Sequence, residues 1–384
     1  MCRGGSEHAA CKLSLMLSQK HEVFIATFFD EKIYPTTFEY NGRHFCLNQK
    51  GSENKIYSTF QRIKFIRNII KENNIDYSVS FLKSADLINS MITPRIERIS
   101  CIRSDVRRLF SQNKLSRFFW SSVYKKMHKV VFQTTQNRDN FRNLLNLSVD
   151  LHVIPNEYKI SEVLSKSRQD FPCLNWSEYF VLIQVARLYD VKGQWSLFPI
   201  LKELHNRGHK NVRIVILGTG PMLDEYVFIC NQLGLRSIYT SDACFDFTKY
   251  DVIFKSFTDN PYMYVANSNA FIFTSISEGF PNAMAEAMII GKFSFVSDFD
   301  GVSRYLFDLD DKELQTPIES EYGFILPVIH EKKGPVFDSK IILWVDTIEK
   351  YIHKDLSIYE DPIRQKMSMF DISYISLKWS SIFS

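Results

Sequence analysis

Cysteine is scarce in this sequence, and its spacing excludes the usual zinc sites. Only seven cysteines occur in 384 residues, with no C-x-x-C pair and no cluster of cysteine and histidine at zinc-ligand spacing. Isolated cysteines of this kind are typical of free thiols in a reducing compartment. We therefore expect a fold without a structural zinc ion or a disulfide framework.

Long apolar runs are also absent. A membrane-spanning helix needs roughly 18 to 20 consecutive apolar residues, and no stretch of the sequence approaches this length. Residues 1–5 open the chain without the apolar core of a signal peptide. The expectation is therefore a cytoplasmic protein that neither spans a membrane nor leaves the cell by that route.

The chain as a whole has little excess of positive or negative charge, but parts of it have a clear excess of one sign. The net charge is only +4, yet residues 60–145 hold 17 Lys and Arg against 6 Asp and Glu, and residues 296–384 hold 10 against 16. A basic segment is typical of proteins that bind nucleic acid, an anionic lipid surface or a pyrophosphate-bearing acceptor. A solvated surface without a partner explains the same pattern.

The sequence does contain enough apolar residues for two cores. At 384 residues and 45% hydrophobic content, the chain is too long for one ordinary core and suits two domains. Strand-like runs alternate with helical patterns at intervals of about 25 to 30 residues, which predicts doubly wound parallel sheets of the α/β class. The predicted strands are residues 21–27, 75–82, 98–104, 129–134, 179–185, 212–217, 251–257, 270–274 and 292–297.

A polar stretch of mixed charge, residues 161–175, is the best candidate for a linker. It separates a basic N-terminal domain of residues 1–160 from a second domain of residues 176–362. Residues 363–384 are expected to form a helical tail that crosses back onto the N-terminal domain. Residues 237–250 show no clear pattern and are interpreted as an insertion.

One junction between a predicted strand and a predicted helix has the composition of a phosphate site. Residues 270–274 are β-branched and aromatic, whereas residues 282–290 are rich in Ala and Met. Pro281 suits the first helical position, and Gly279 allows a close approach of the backbone. The helix start therefore offers free N–H groups and a partial positive charge to a phosphate, without a metal.

Two carboxylates flank this junction. Glu278 lies in the turn, and Glu286 lies eight residues later in the helix. A carboxylate is poorly suited to bind a phosphate, so hydroxyl groups are the expected partners. Sugar hydroxyls are the obvious candidates.

Two more loops follow predicted strands of the second domain. Arg187 and Lys192 lie five residues apart, where they can converge on one diphosphate, the Arg through a planar fork and the Lys as a point charge. Gly218 and Gly220 form a glycine turn after the next strand. This turn is too short for the dinucleotide fingerprint, because no third glycine follows at the required spacing.

Residues 275–288, Ser-x-x-Glu-Gly-Phe-Pro-Asn-Ala-x-x-Glu-Ala-Met, carry a family resemblance. They resemble the donor-binding signature of the retaining GT-B glycosyltransferases of family 4, the glycosyl transferases group 1. The resemblance implies two Rossmann-like domains, each with a doubly wound parallel sheet, that face a cleft. The N-terminal domain would lie on the acceptor side, and the second domain would bind a nucleotide sugar. A UDP-linked sugar is the expected co-substrate, with no cofactor and no metal.

The resemblance also implies roles for particular residues. Arg187, Lys192 and Glu278 would be catalytic, because the two cations compensate the departing diphosphate and Glu278 holds the sugar. Glu286 would hold the ribose. The other implied donor-binding residues are Gly4, Gly5, Gly218, Gly220, Gly279, Phe280, Pro281 and Asn282.

The pair Gly4 and Gly5 resembles the loop after the first strand of the family's N-terminal domain. Residues 3–7 would form this loop and residues 9–19 the following helix. No apolar strand precedes the loop, so the N-terminal domain is expected to lack its first strand.

A pair of acidic residues, Asp298 and Asp300, has the spacing of the metal-binding pair in the other glycosyltransferase fold. We reject a metal site here because the predicted phosphate site already has an Arg, a Lys and a helix end. Family members often have an acidic residue where this chain has Arg304.

The predicted function is metal-independent transfer of a sugar from a nucleotide diphosphate sugar to an acceptor, with retention. The expected setting is bacterial surface polysaccharide biosynthesis, which includes O-antigen of lipopolysaccharide, capsule and exopolysaccharide. The acceptor is expected to be a lipid-linked oligosaccharide at the inner face of the cytoplasmic membrane, with the protein peripheral there and no nucleic-acid partner. Two alternatives stay open: a sugar-nucleotide epimerase on the same scaffold, and a non-catalytic binding protein, either a nucleic-acid binder or a decayed scaffold.

Basic and aromatic residues interleave in one part of the N-terminal domain. They are Arg103, Arg107, Arg108, Leu109, Phe110, Lys114, Arg117, Phe118, Phe119, Trp120, Lys125, Lys126 and Lys129. This mixture suits anionic headgroups and the apolar layer beneath them. A helical pair with aromatic residues in its core and solvated charges gives the same pattern.

Overall fold

The chain forms two compact units. The computed structural model describes residues 5–29, 40–48, 55–92, 95–110, 113–171, 176–299, 302–309, 315–330 and 339–383. The first unit is Met1–Asn156 with Ile375–Ser384, and the second is Glu157–Tyr374.

The first unit alternates helices and strands. In chain order its elements are α1 (Gly5–Leu17), β1 (Phe24–Thr27), β2 (Arg43–Cys46), α2 (Lys55–Asn73), β3 (Tyr77–Phe81), α3 (Lys83–Asn89), β4 (Glu97–Ile102), α4 (Val106–Phe110), α5 (Lys114–Tyr124), β5 (Lys129–Phe132), α6 (Thr135–Leu145) and β6 (Asp150–Val153). Strands β3, β4, β5 and β6 form a parallel sheet in that order. Strands β1 and β2 form a separate parallel pair.

The second unit continues the alternation. Its elements are α7 (Ile160–Ser167), β7 (Phe180–Val185), α8 (Leu197–Asn206), β8 (Val212–Leu217), α9 (Leu223–Gln232), β9 (Ser237–Thr240), β10 (Val252–Lys255), α10 (Tyr262–Asn267), β11 (Ala270–Phe273), α11 (Asn282–Ile290), β12 (Ser294–Ser297), α12 (Val302–Leu306), β13 (Ile318–Ser320), β14 (Gly323–Leu326), α13 (Ser339–Glu349) and α14 (Glu360–Met367). A last helix, α15 (Ile372–Ser380), ends in residues of the first unit.

The sheet of the second unit has the strand order β13-β14-β12-β11-β7-β8-β10-β9 among the described residues. Neighbouring strands are parallel, except that β13 runs antiparallel to β14. Every residue of β8, β10, β11 and β12 is buried. Continuous apolar strands are typical of parallel sheets that helices cover on both faces. The predicted α/β class with Rossmann-like parallel sheets is confirmed.

The core of the first unit is centred on β4 and β5. Ile99 and Val130 are fully buried, and the C-terminal residues Ile375 and Trp379 pack in the same cluster as Ile99 and Val131. The C-terminal residues of the chain therefore contribute to the core of the first unit.

Several local predictions need correction. Helix α1 begins at Gly5, so the predicted loop over residues 3–7 is wrong from Gly5 onward, and Gly4 lies outside the described residues. Residues 237–250 are not a patternless insertion, because they contain β9, a four-residue parallel strand at the edge of the sheet. The division between the units falls before residues 161–175, and part of that stretch lies in helix α7.

Candidate functional site

The candidate site lies where the strand order of the second sheet reverses. Strand β7 has β8 on one side and β11 on the other. In an open parallel sheet, such a reversal leaves a crevice at the carboxyl ends of the strands, and ligands bind there. The loop that carries Arg187 and Lys192 follows β7, and the loop that carries Glu278 follows β11. The topology therefore places two separately predicted loops at one crevice.

The two loops are fastened to each other by backbone contacts. The N–H of Ile276 donates to the carbonyl oxygen of Val191 at 2.9 Å, and the hydroxyl of Thr274 donates to the carbonyl oxygen of Gly193 at 3.1 Å. Gly193 has a φ of +62°, and a Cβ there would lie 2.2 Å from the carbonyl oxygen of Thr274. Only glycine fits this close approach of the two loops. The one sign of this requirement in the sequence is that a glycine directly follows Lys192.

Lys192 and Glu278 form an ion pair across the crevice. Lys192 Nζ lies 2.5 Å from Glu278 Oε1, and the two side chains are 18% and 11% exposed. The hydroxyl of Ser275 donates to the same carboxylate oxygen at 2.8 Å. The pair thus joins the two loops and is largely screened from water, which makes its electrostatic interaction stronger than that of a surface pair.

Arg187 lies on the exposed side of the same loop. Its guanidinium lies 5.0 Å from the ring centre of Tyr189, and its carbonyl oxygen accepts a hydrogen bond of 3.0 Å from the side-chain amide of Gln194. The backbone of Arg187 is therefore fixed while its side chain faces solvent. That Arg187 and Lys192 converge on one diphosphate stays a prediction.

Gly218 and Gly220 pack against the loop that carries Arg187. A Cβ at Gly218 would lie 2.2 Å from the carbonyl oxygen of Ala186, and a Cβ at Gly220 would lie 2.2 Å from that of Leu188. The N–H of Leu188 donates a hydrogen bond of 3.0 Å to the carbonyl oxygen of Thr219. The glycine turn therefore supports the Arg187 loop directly, and its contact with a nucleotide stays a prediction.

Helix α11 begins at Asn282, as predicted, but Pro281 is not its first helical residue. Pro281 precedes the helix as its cap residue, and no side chain caps the helix start. The hydroxyl of Tyr158 donates to the side-chain oxygen of Asn282 at 2.7 Å. Phe280 is 7% exposed and its ring packs near Phe370, so its backbone rather than its side chain is available at the crevice.

Glu286 has a partner different from that of Glu278. It lies in the second turn of α11 and faces Tyr262 of α10. Burial raises the pKa of the Tyr262 hydroxyl, and the carboxylate of Glu286, which accepts its hydrogen bond, raises that pKa further. The two carboxylates of the signature are therefore held by different elements, so they can serve different parts of one ligand.

Asp298 is engaged by Arg304. The guanidinium donates two hydrogen bonds to the Asp298 carboxylate, of 2.9 and 2.7 Å, and this contact is the main reason that the pKa of Arg304 is raised. Within the described ranges, no group of three or more His, Cys, Asp and Glu is placed to hold a metal ion. Asp300 lies outside those ranges.

The first unit presents a second feature of interest, an exposed apolar face on α5. Leu115, Phe118, Phe119 and Ser122 recur at helical spacing and are all exposed, with Phe118 at 75%. Exposed cations lie near this helix in the chain: Arg107 and Arg108 on α4, Lys114 at the start of α5, and Lys125 and Lys126 directly after its end. We call these nine residues the α5 face.

Other members of the basic and aromatic stretch lie elsewhere. Phe110 is buried, and Lys129 forms an ion pair with Glu97 at 2.7 Å. Arg103 contacts Asn156 and lies over the ring of Phe81. In the part of the chain that the structure describes, no helix is long and apolar enough to cross a bilayer.

Comparison with known proteins finds a family match within the second unit. Residues 166–317 match the family model of the glycosyl transferases group 1. The matched stretch contains Arg187, Lys192, both carboxylates of the signature and the glycine turn.

Relatives extend the likeness to most of the chain. The chain is 23% identical over 350 residues to an uncharacterized glycosyltransferase, MJ1059, of Methanocaldococcus jannaschii, and the match covers 84% of this chain and 81% of the relative. It is 24% identical over 332 residues to a Campylobacter jejuni N-acetylgalactosamine-N,N'-diacetylbacillosaminyl-diphospho-undecaprenol 4-alpha-N-acetylgalactosaminyltransferase, with coverage of 83% and 84%. Among solved structures, Anabaena Alr3699/HepE in complex with UDP matches with a TM-score of 0.69 at 15% identity, over 100% of this chain and 96% of that one.

Proposed function

We propose that this chain, which carries a glycosyl transferases group 1 domain, is a retaining glycosyltransferase of family 4 that uses a nucleotide diphosphate sugar. One observation carries the proposal. The reversal of strand order brings the Lys192–Glu278 ion pair to the uncapped start of α11. This combination offers positive charge to a diphosphate and a carboxylate to the hydroxyls of the attached sugar.

The chemistry assigned to this site follows from where charge develops. When the bond between the anomeric carbon and the diphosphate oxygen breaks, its electron pair leaves with the diphosphate. Lys192, Arg187 and the partial positive charge at the start of α11 stabilise that departing charge. The acceptor oxygen bonds to the same face of the sugar, and its proton leaves with the diphosphate oxygen.

The two carboxylates take different parts of the donor in this proposal. Glu278, with the backbone N–H groups around Gly279, holds the sugar, and Glu286 holds the ribose. In the structure Lys192 is paired with Glu278. A bound diphosphate would share Lys192, since an ammonium group can donate up to three hydrogen bonds.

The donor is proposed to be UDP-linked and the reaction metal-independent. UDP is the nucleotide named for the Anabaena structure. Two cations and a helix start supply the positive charge that a metal ion supplies in other transferases.

The acceptor is proposed to be a lipid-linked oligosaccharide, reached at the cytoplasmic face of the membrane. The name of the Campylobacter relative describes transfer to a diphospho-undecaprenol-linked sugar. The α5 face combines exposed Leu115, Phe118 and Phe119 with exposed cations, the composition that binds an anionic bilayer without spanning it. Bacterial surface polysaccharide biosynthesis is the setting that we propose for this transfer.

The proposal is tested by incubating the purified chain with radiolabelled UDP-sugars in EDTA, with and without vesicles that contain the lipid-linked acceptor. We expect labelled lipid and released UDP only when the acceptor is present. Conversion of the donor to an isomer without acceptor would indicate the epimerase instead. Failure of every nucleotide sugar to bind would indicate a non-catalytic protein, and activity lost in EDTA and restored by manganese would contradict metal independence.

A further inference from the structure

Three polar side chains gather at the carboxyl edge of the four-stranded sheet in the first unit. Strands β3, β4, β5 and β6 are parallel, so their carboxyl ends meet at one edge, which is where open parallel sheets bind ligands. Arg103 directly follows β4, Gln133 directly follows β5, and Asn156 follows the end of β6 by three residues. We call these three residues the β4–β6 cluster.

Residues at the ends of two other strands hold the Arg103 side chain. Its guanidinium donates a hydrogen bond to the side-chain oxygen of Asn156 and lies 5.7 Å from the ring centre of Phe81, the last residue of β3. The side-chain amide of Gln133 donates to the same oxygen of Asn156 at 2.5 Å. Gln133 is buried, and Arg103 and Asn156 are half-buried. The positive charge is therefore fixed at the edge of the sheet and does not extend into solvent.

The charge of Arg103 has no acidic counterpart in the part of the chain that the structure describes. No carboxylate there forms an ion pair with its guanidinium within 4.0 Å. Asp105, the acidic residue nearest to it in the sequence, pairs instead with Arg107 at 3.7 Å and accepts the backbone N–H of that residue at 3.0 Å. The partners of Arg103, an amide and an aromatic ring, are neutral. Because partly buried charges are normally compensated, this position suits an anionic ligand.

The start of α6 adds positive potential beside the cluster. Thr134 directly follows Gln133 and is the cap residue of this 11-residue helix. The first turn of a helix carries a partial positive charge and favours phosphate groups. The Arg103 guanidinium offers a planar fork that matches two phosphate oxygens. A phosphate, with more acceptor oxygens than a carboxylate, uses both sets of donors.

We propose that Arg103, held by Asn156 and Gln133, binds the diphosphate of a lipid-linked acceptor. This inference rests on the proposed function for the identity of the acceptor, and it assigns a specificity-determining residue to that acceptor within the first unit. The role differs from that of the α5 face, which contacts the bilayer surface. A nucleotide sugar also carries a diphosphate, so the experiment has to separate the acceptor from the donor.

Binding of inorganic pyrophosphate to the full chain tests the site without catalysis. Calorimetric titrations are run in excess UDP, which occupies the proposed donor site. We expect Arg103→Gln to bind pyrophosphate about 10 to 150-fold more weakly, because a charge-assisted contact is lost. Asn156→Asp covers a failure of Arg103→Gln to fold: it keeps the acceptor oxygen, and its carboxylate neutralises Arg103, so pyrophosphate binding should weaken similarly. The control Arg142→Gln removes the same charge at a 58% exposed side chain of the first unit and should bind normally.

Steady-state kinetics then show which diphosphate Arg103 binds. In both cluster variants the KM for the lipid-linked acceptor should rise about 10 to 150-fold with little change in kcat, while UDP affinity stays unchanged. Weaker UDP binding with an unchanged acceptor KM would assign Arg103 to the donor and overturn the proposal. Unchanged pyrophosphate affinity in both variants, or competition by malonate as strong as that by pyrophosphate, would also overturn it. If no protein transferred sugar but the pyrophosphate results were as expected, the proposed function would fail while the phosphate site would stand.

Discussion

Lys192 Nζ lies 2.5 Å from Glu278 Oε1, although 86 residues separate the two in the chain. The contact depends on β11 lying next to β7, four strands earlier in the chain, and not next to β10, the strand that directly precedes it. It joins the two loops that border the crevice. The charges of the proposed donor site are therefore coupled before any ligand binds.

This coupling predicts different effects for the two signature carboxylates. Glu278→Gln should lower the transfer rate by on the order of 100-fold, because the sugar loses a charged partner, while UDP affinity stays equal or rises as Lys192 is released. Glu286→Gln should weaken UDP binding by about tenfold with a smaller effect on the rate. Steady-state kinetics and UDP titration measure both. The exposed Glu178→Gln serves as the control, and identical profiles for the two site variants would contradict the assignment.

Gly193 allows a second prediction with a matched control. Gly193→Ala puts a Cβ 2.2 Å from the Thr274 carbonyl oxygen, whereas Gly234, at a similar φ of +66°, has only the end of Lys202 within 4 Å. Both substitutions carry the cost of a positive φ, about 1 to 2 kcal/mol, and only Gly193→Ala adds the clash. We expect Gly193→Ala to lower the free energy of unfolding by about 1 to 3 kcal/mol more than Gly234→Ala.

The same two variants, Gly193→Ala and Gly234→Ala, distinguish an effect on site geometry from an effect on general stability. Gly193→Ala should reduce transfer by at least about tenfold at a temperature where both variants are folded, because Lys192 is displaced. Gly234→Ala should retain normal transfer. Equal activity of the two variants would show that the close approach of the loops is not needed for the reaction.

Asp86 predicts a pH dependence of stability in the first unit. Complete burial raises the pKa of Asp86 from 3.8 to about 6, even though hydroxyl donors from Ser80, Tyr124 and Ser100 favour its charged form. The folded state therefore holds this proton more tightly than the unfolded state does. The contribution is fully present below about pH 4 and is lost as pH rises through about 6.

The free energy of unfolding should accordingly fall by up to about 3 kcal/mol between about pH 4 and pH 7 on account of this group. Asp86→Asn should remove this fall, since the amide has no proton to lose. Denaturant unfolding across this range measures the difference, with Asp139→Asn, at a half-buried side chain, as control. If the free energy of unfolding of Asp86→Asn fell by the same amount, other titrating groups would account for the fall.

The α5 face predicts salt-sensitive binding to anionic vesicles. Replacing the exposed Lys114, Lys125 and Lys126 by Glu should weaken vesicle binding by about 100-fold or more, since each basic residue near an anionic surface is worth about 1 kcal/mol. Lys129 is left unchanged because it is paired with Glu97. Vesicle sedimentation at low and high salt measures the effect.

The control for this experiment replaces three exposed lysines of the second unit by Glu: Lys210, Lys249 and Lys350. These changes alter net charge equally and should leave vesicle binding nearly intact. If both triple variants lost vesicle binding equally, the change in net charge alone would explain the effect. Preferential binding to nucleic acid, with a steep salt dependence, would argue against a lipid surface.

Much of the fold could be predicted from the sequence because apolar runs end at clear boundaries. The bounds of α11 and β8 agree with the predicted residues 282–290 and 212–217, where glycine or proline stands beside each run. Strand β9 was missed since it has four residues, lies at the sheet edge and has an exposed Tyr239. Edge strands lack the continuous apolar pattern of central parallel strands.

The site was predictable residue by residue but not in its contacts. The spacing of Glu278 and Glu286 is visible in the sequence, whereas the pairing of Lys192 with Glu278 depends on which strands become neighbours. Gly193 was missed because a single glycine after a lysine carries little information. Its requirement becomes evident only when the Thr274 carbonyl is placed against it.

The central claim is that the crevice between β7 and β11 binds a nucleotide diphosphate without a metal, and titration calorimetry with UDP in EDTA tests it most directly. The protein, Arg187→Ala, Lys192→Ala and the distant exposed Lys249→Ala should be measured side by side. We expect UDP to bind the unaltered chain and Lys249→Ala equally, and each site variant about 10 to 150-fold more weakly, as the loss of one charge-assisted contact predicts. Equal affinity in all four proteins, or binding that requires manganese, would contradict the account.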